Sequence, residues 1–161
     1  MRTPVAILLL SVSAFLSSCG FVQRSFKSSE PPVITVESAR AQAAQPADAA
    51  TIVYVDVLAE NPNPDDLPIL SVTYTATLLS GGETFQTTGT RVGQATISRY
   101  SAQRLAIPIP VPVSALANPT SFEIRGEMEY LRPSAIAQTL NENGAGGSRR
   151  SFQGSGTIGG T

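Results

Sequence analysis

The chain has no histidine, no tryptophan and a single cysteine in 161 residues. Without histidine there is no Ser-His-Asp or Cys-His nucleophilic machinery, and the usual His/Cys zinc sites cannot be assembled. One thiol cannot close an intramolecular disulfide. Charge is sparse and balanced, with Lys+Arg 11 against Asp+Glu 12, so no clustered basic surface marks a nucleic-acid binder. No apolar run reaches the roughly 20 residues that cross a bilayer as a helix. Only carboxylate chemistry survives, and no cofactor is implied.

The longest apolar run, Val5 to Leu16, follows a basic start at Arg2 and gives way to small residues before Cys19. Its length suits the h-region of a secretory signal, about 7 to 15 residues. Leu16-Ser17-Ser18-Cys19 resembles the lipobox of bacterial lipoproteins, in which signal peptidase cuts before a cysteine that becomes diacylated and then N-acylated. That resemblance makes Cys19 the membrane attachment, because two or more acyl chains anchor stably where one does not. Gly20 stands where many such proteins carry an Asp that retains them at the inner membrane, which favours the outer membrane, facing the periplasm. The expected organisation is a signal peptide over 1–18, a lipidated cysteine and tether over 19–32, and one domain over 33–161.

Residues 20–32, "GFVQRSFKSSEPP", mix small and polar residues and close on a proline pair, as a tether does. Beyond Val33 the period is that of strands. They are expected near 33–43, 50–60, 69–79, 83–91, 102–113, 121–131 and 151–158. In the third, Leu70, Val72, Tyr74, Ala76 and Leu78 fall on one face and Ser71, Thr73, Thr75 and Thr77 on the other. It ends in "SGGE", a tight hairpin turn into the fourth. In the second, Thr51, Val53, Val55, Val57 and Ala59 share a face, which predicts a central strand. The sixth buries Phe122, Ile124, Met128 and Tyr130 and shows Glu123, Arg125, Glu127 and Glu129 to water. Between 132 and 150 the pattern lapses into a long Gly-rich loop, with a short helix expected at 133–140.

Three groups invite a chemical reading. Glu127 and Glu129 stand two apart on one strand face, roughly 6.5 to 7 Å, which overlaps the carboxylate spacing of inverting glycosidases. A general acid needs surroundings that raise its pKa, and these lie in a polar row beside Arg125. "NPNPDD", residues 61–66, begins like a calcium loop, then places Asp66 where glycine is required and Val72 where the bidentate Glu is required. A turn built from Asn, Asp and Pro is the expectation. The row Ser71, Thr73, Thr75, Thr77 hints at a flat surface-binding array, but a single row makes no two-dimensional lattice.

"VYVDVLAENPN" (53–63), "LPILSVTYTATLLSGG" (67–82), "TTG" (87–89), "LAIPIPVPV" (105–113), "FEIRGEMEYL" and "FQGSGTI" together resemble the WHy (water stress and hypersensitive response) domain of late-embryogenesis-abundant type 2 proteins. Asn61-Pro62-Asn63 is the most specific of these pieces. The resemblance implies an all-β, immunoglobulin/fibronectin-III-like antiparallel sandwich of about seven strands, in line with the strand count. It also implies a non-catalytic role in protecting envelope proteins or membrane under desiccation or other stress. The alternative is an assembly lipoprotein that docks a specific envelope partner, through the 132–150 loop. "IPIPVPV" completes the reading. A period of two collects Pro108, Pro110 and Pro112 on one face and sends their missing donors to one lateral side, which predicts an edge strand.

Overall fold

The computed structural model describes residues 29–42, 50–112, 115–116, 118–132, 139, 143–144 and 146–160. The signal peptide, Cys19, most of the tether, Val113 and most of the helix expected at 133–140 lie outside the described residues.

Alternating β-branched and aromatic residues form seven strands: β1 (Val33–Gln42), β2 (Ala50–Glu60), β3 (Leu67–Ser80), β4 (Glu83–Ile97), β5 (Ala102–Pro112), β6 (Ser121–Tyr130) and β7 (Ser148–Gly160). The all-β class is as expected. They make one sheet in the order β4-β3-β6-β7-β1-β2-β5. The sheet is mixed, which corrects the purely antiparallel expectation: Ser148–Thr157 of β7 pair antiparallel with β6, while Ile158–Gly160 run parallel to Ala39–Ala41 of β1. A parallel pair requires a long connection, and the first and last strands have the whole domain between them. Close approach is purchased with glycine, since a Cβ on Gly154 would lie 2.4 Å from Val36 Cβ.

The inward faces of all seven strands contribute to one core, in which Val53, Val55, Ala76, Leu78, Ile109, Ile124 and Met128 are fully buried. Each such side chain stabilises the fold by about 1.5–3 kcal/mol relative to exposure, less for alanine. The sheet curls until its terminal strands β4 and β5 touch, where Arg91 of β4 donates to the Ala106 carbonyl of β5.

Two bulges set which residues face inward. Register shifts at Glu37 in β1 and at Leu70 in β3, each the extra residue against its antiparallel neighbours β2 and β6. A bulge inserts one residue and so exchanges the two faces beyond it. The expected face of the third strand is therefore wrong at one position: Ile69 and Leu67 enter the core ahead of the bulge and Val72, Tyr74, Ala76 and Leu78 after it, while Leu70 stays half-buried outside. β4 also runs on past Arg91 to the buried Ile97, six residues longer than the pattern indicated. The hairpin turn forms where expected, with Gly81 and Gly82 at φ 57° and 95°, the region a two-residue I′ turn requires.

β2 is flanked by β1 and β5 and thus paired on both sides. β5 stands at the end of the order. Ile107, Ile109 and Val111 are buried and Pro108, Pro110 and Pro112 exposed. The prolines face Tyr54, Ile52 and Ala50 across the ladder. An antiparallel ladder alternates pairs that exchange both bonds with pairs that exchange none, and the prolines occupy the second kind. Inside a ladder bonded on both sides each would delete a bond, about 1 kcal/mol, and orphan the facing carbonyl. Replacing Pro108, Pro110 and Pro112 together by threonine restores three outward donors and leaves the β2 ladder intact. The expected result is new backbone pairing on that side, read as concentration-dependent association by analytical ultracentrifugation or, where β4 takes up the donors, as slowed amide hydrogen exchange along β4; unchanged sedimentation together with unchanged exchange refutes this account of the edge.

Candidate functional site

Two places bring polar chemistry together, the loop after β2 and the line along which β4 meets β5. In the loop, Pro62 fixes φ near −65° and lets the side chain of Asn61 fold over it to accept from the Asn63 N–H at 3.0 Å, an Asx turn. The Asn61 amide nitrogen donates to the carbonyls of Asp65 (2.8 Å), Ile97 (3.1 Å) and Ser98 (3.3 Å). Its oxygen also accepts from the Asn63 side chain at 2.9 Å. Asn63 in turn makes a matched pair of bonds with the backbone of Glu30, accepting from its N–H at 2.8 Å and donating to its carbonyl at 2.9 Å. Both asparagines are buried.

The pair therefore ties four stretches of chain together: the end of β2, the loop to β3, the β4–β5 turn and the segment entering the domain. Asn61 N–H to Ser101 carbonyl (2.8 Å) and Tyr100 N–H to Asn63 carbonyl (3.1 Å) complete the junction. They hold Tyr100 at φ 48°, a conformation unusual for a residue with a Cβ. These oxygens are spent on the protein rather than turned toward an ion; Asp66 likewise accepts from the Arg99 N–H at 3.0 Å.

The β4–β5 seam is built from what the prolines leave. Their carbonyls point outward from the ladder: that of Pro108 accepts from the Tyr74 hydroxyl at 3.0 Å, and that of Pro112 from the N–H groups of Ala115 (2.9 Å) and Leu116 (3.1 Å). Tyr74 belongs to β3 and reaches β5 by crossing β4 at Gly89, where a Cβ would sit 2.6 Å from the tyrosine oxygen. Burial raises its pKa above the ordinary tyrosine value, so it stays a donor. Between these struts the edges stand apart. A cavity of about 360 Å³ opens toward Ile69, Val72, Ala95, Leu105 and Ile107, and a neighbouring one of about 470 Å³ is bounded by Tyr54, Tyr74, Thr90 and Pro108. Arg91 borders both.

On the outer face, Arg40 pairs with Asp56 and lies 5.2 Å over the ring of Tyr54. This keeps a buried carboxylate partnered. The bulge at Glu37 frees its side chain to meet Arg104 of β5 at 2.6 Å, which raises the pKa of that arginine. Glu129 accepts from the Gly147 N–H at 2.9 Å and the Ser71 hydroxyl at 3.2 Å, and the Gly147 bond chiefly holds its carboxyl below the ordinary range. Glu127 lies 3.9 Å from Arg149. A general acid needs the opposite shift to that of Glu129, so the pair is part of a polar surface. A second hydroxyl row, invisible when β3 is read alone, stands beside the first: Thr90 pairs with Thr73, their hydroxyls 3.2 Å apart, and Thr88 with Thr75.

The junction predicts an order of stabilities. Asn61→Ala leaves several buried partners without a bond and is expected to cost about 2–4 kcal/mol in urea unfolding. Asn63→Ala is expected to cost about 1–2 kcal/mol and to speed hydrogen exchange at the Glu30 amide. Equal, small losses from both contradict the junction.

No protein-family model matches the chain, and no curated protein matches it. The solved structures that resemble it over most of its length include two with a TM-score of 0.50. One is that of AT1g01470 from Arabidopsis thaliana, at 15% identity and TM-score 0.50, covering 83% of this chain and 85% of that one. The other is a putative late embryogenesis abundant (LEA) protein, At2g46140.1, at 16% identity and TM-score 0.50, covering 86% of this chain and 77% of that one. At such identities the likeness is one of fold, and the fold of this chain is LEA-related.

Proposed function

We propose that the chain is an exported lipoprotein, held at a membrane through Cys19, whose WHy-like domain is not an enzyme and shields envelope proteins or the membrane when water is withdrawn. On this reading the curled sheet is an immunoglobulin-like or fibronectin-like sandwich. β1, β2 and β5 form one layer, β4, β3 and β6 the other, and β7 passes between them.

The observation that carries the proposal is the outer face of β4, β3, β6 and β7. Register aligns Thr90, Thr73, Glu127 and Ser151 in one row across four strands, and Thr88, Thr75, Arg125 and Gln153 in the next. Rows of hydroxyl, amide, carboxylate and guanidinium groups present hydrogen-bonding partners where a client surface loses its water. Drying also concentrates a protein, and exposed strand edges then aggregate. One edge of this sheet has no donors to offer at three successive outward positions. The LEA-related fold supports the same role by analogy.

The chain from Cys19 to Thr161 carrying Cys19→Ser is the soluble form for testing. Dried with a labile enzyme, it is expected to preserve more activity than an equal mass of albumin; no advantage over albumin counts against protection. Attachment is tested separately. Cys19→Ala in the exported chain is expected to move the protein from membranes into the soluble fraction after a high-salt wash, and a variant that stays with the membrane shows that lipidation is not the anchor.

A further inference from the structure

We infer that the β4–β5 seam is a binding site for a single-chain carboxylate amphiphile, with the carboxylate on Arg91 and the alkyl chain in the adjoining cavity. β4 and β5 stand at opposite ends of the strand order and form no ladder with each other; from Pro108 to Pro112 β5 has no outward donors to form one. Side chains bridge them instead, Tyr74 to Pro108 and Arg91 to Ala106. The space between the Arg91 bridge and the β4–β5 turn reaches the core, and Ile69, Val72 and Ile107 at its floor are all buried residues.

The floor suits an apolar chain, while Arg91, Gln103 and Arg104 make the rim polar. Val92, at the mouth, is 77% exposed, the largest exposure among the large apolar side chains of the described residues, and an alkyl chain entering there would cover it. The volume, about 360 Å³, lies at the small end of ligand pockets, about 300–1,000 Å³. At the roughly 30 Å³ that one water occupies in the liquid, it holds about a dozen non-hydrogen atoms. That is a chain of about ten carbons with its head group, and far less than a lipid with two acyl chains.

The charge at the mouth selects the head group. Arg91 commits one guanidinium N–H to the Ala106 carbonyl, which fixes the group in place. An arginine has five such donors. Among the described residues no Asp or Glu pairs with Arg91, whereas Arg104, on the other wall of the same cavity, is held by Glu37. A planar guanidinium, anchored at one corner and bordering the open seam, matches a carboxylate bidentately.

The test uses the Cys19→Ser chain over 19–161, titrated calorimetrically with sodium decanoate and with 1-decanol, and followed by amide NMR. Decanoate is expected to bind and to shift the amides of 91–93 and 103–107. Decanol, which lacks the charge, is expected to bind about 10- to 100-fold more weakly. Arg91→Gln is expected to lose the same factor for decanoate and to leave decanol unchanged. Arg91→Lys retains part of the preference, and Arg104→Gln, whose partner is Glu37, changes the affinity less than threefold. Equal binding of acid and alcohol, unchanged decanoate affinity in Arg91→Gln, absence of decanoate binding, or shifts confined to another part of the domain each overturn the site. None of these outcomes depends on acylation of Cys19 or on protection during drying.

Discussion

A proline at every second position of β5 is the constraint from which most of this architecture follows. Because strand parity sends all three missing donors to one side, the strand keeps its ladder to β2 and its apolar row, Ile107, Ile109 and Val111, in the core. Because that other side has acceptors and no donors from Pro108 to Pro112, β4 cannot close the curled sheet by backbone pairing there. Closure falls to side chains that carry their own donors, a tyrosine hydroxyl and a guanidinium. The glycine at 89 exists to let the first of these through. A sheet that could have been a sealed barrel is instead stapled at two points, with one cavity between the staples and another between Arg91 and the turn.

The same exchange of backbone regularity for side-chain placement recurs at the bulges. The extra residue at 37 frees a carboxylate to reach Arg104 on β5, two strands away. The extra residue at 70 turns Ile69 inward and leaves Ser71 beside Glu129 on the outer face. At 126 a side chain would strike the Thr73 carbonyl at 2.5 Å and the Phe152 ring at 2.6 Å. The glycine there lets one aromatic cover the strand in place of its own Cβ, and the gap in the alternation of β6 is a packing site.

Much of this was legible in the order of residues, and the reasons for the remainder are specific. Parity alone shows that Val53, Val55 and Val57 share a buried face and that "SGGE" turns, because period and turn chemistry are local. Parity cannot foresee an inserted residue, so Leu70 was placed on the wrong face. β4 was cut short at Arg91 because "VGQATI" alternates poorly; its burial at Ile97 depends on the Asn61 side chain holding the chain from another loop. The parallel contact of β1 with β7 joins residues more than a hundred positions apart and has no local signature. For the candidate sites, Asn61 and Asn63 stood out as a motif without a visible job, which appears only when Glu30, Ile97 and Ser98 are seen converging on them. Arg91 carried no signal at all, since a lone arginine in a threonine-rich strand reads as a solubilising charge.

The junction and the seam are also related in space. Asn63 grips the backbone at Glu30, and the chain length from Cys19 to that point spans on the order of 40 Å at most. Under the proposed anchor, the end of the domain nearest the membrane would be the one bearing the Asn61-Pro62-Asn63 loop and the β4–β5 turn. The smaller cavity lies between 91–95 of β4 and 103–107 of β5, just inside that turn, while the second lies farther along both strands. With the chain anchored as proposed, the apolar opening would sit toward the lipid, and a single-chain amphiphile would enter from the side where such molecules partition.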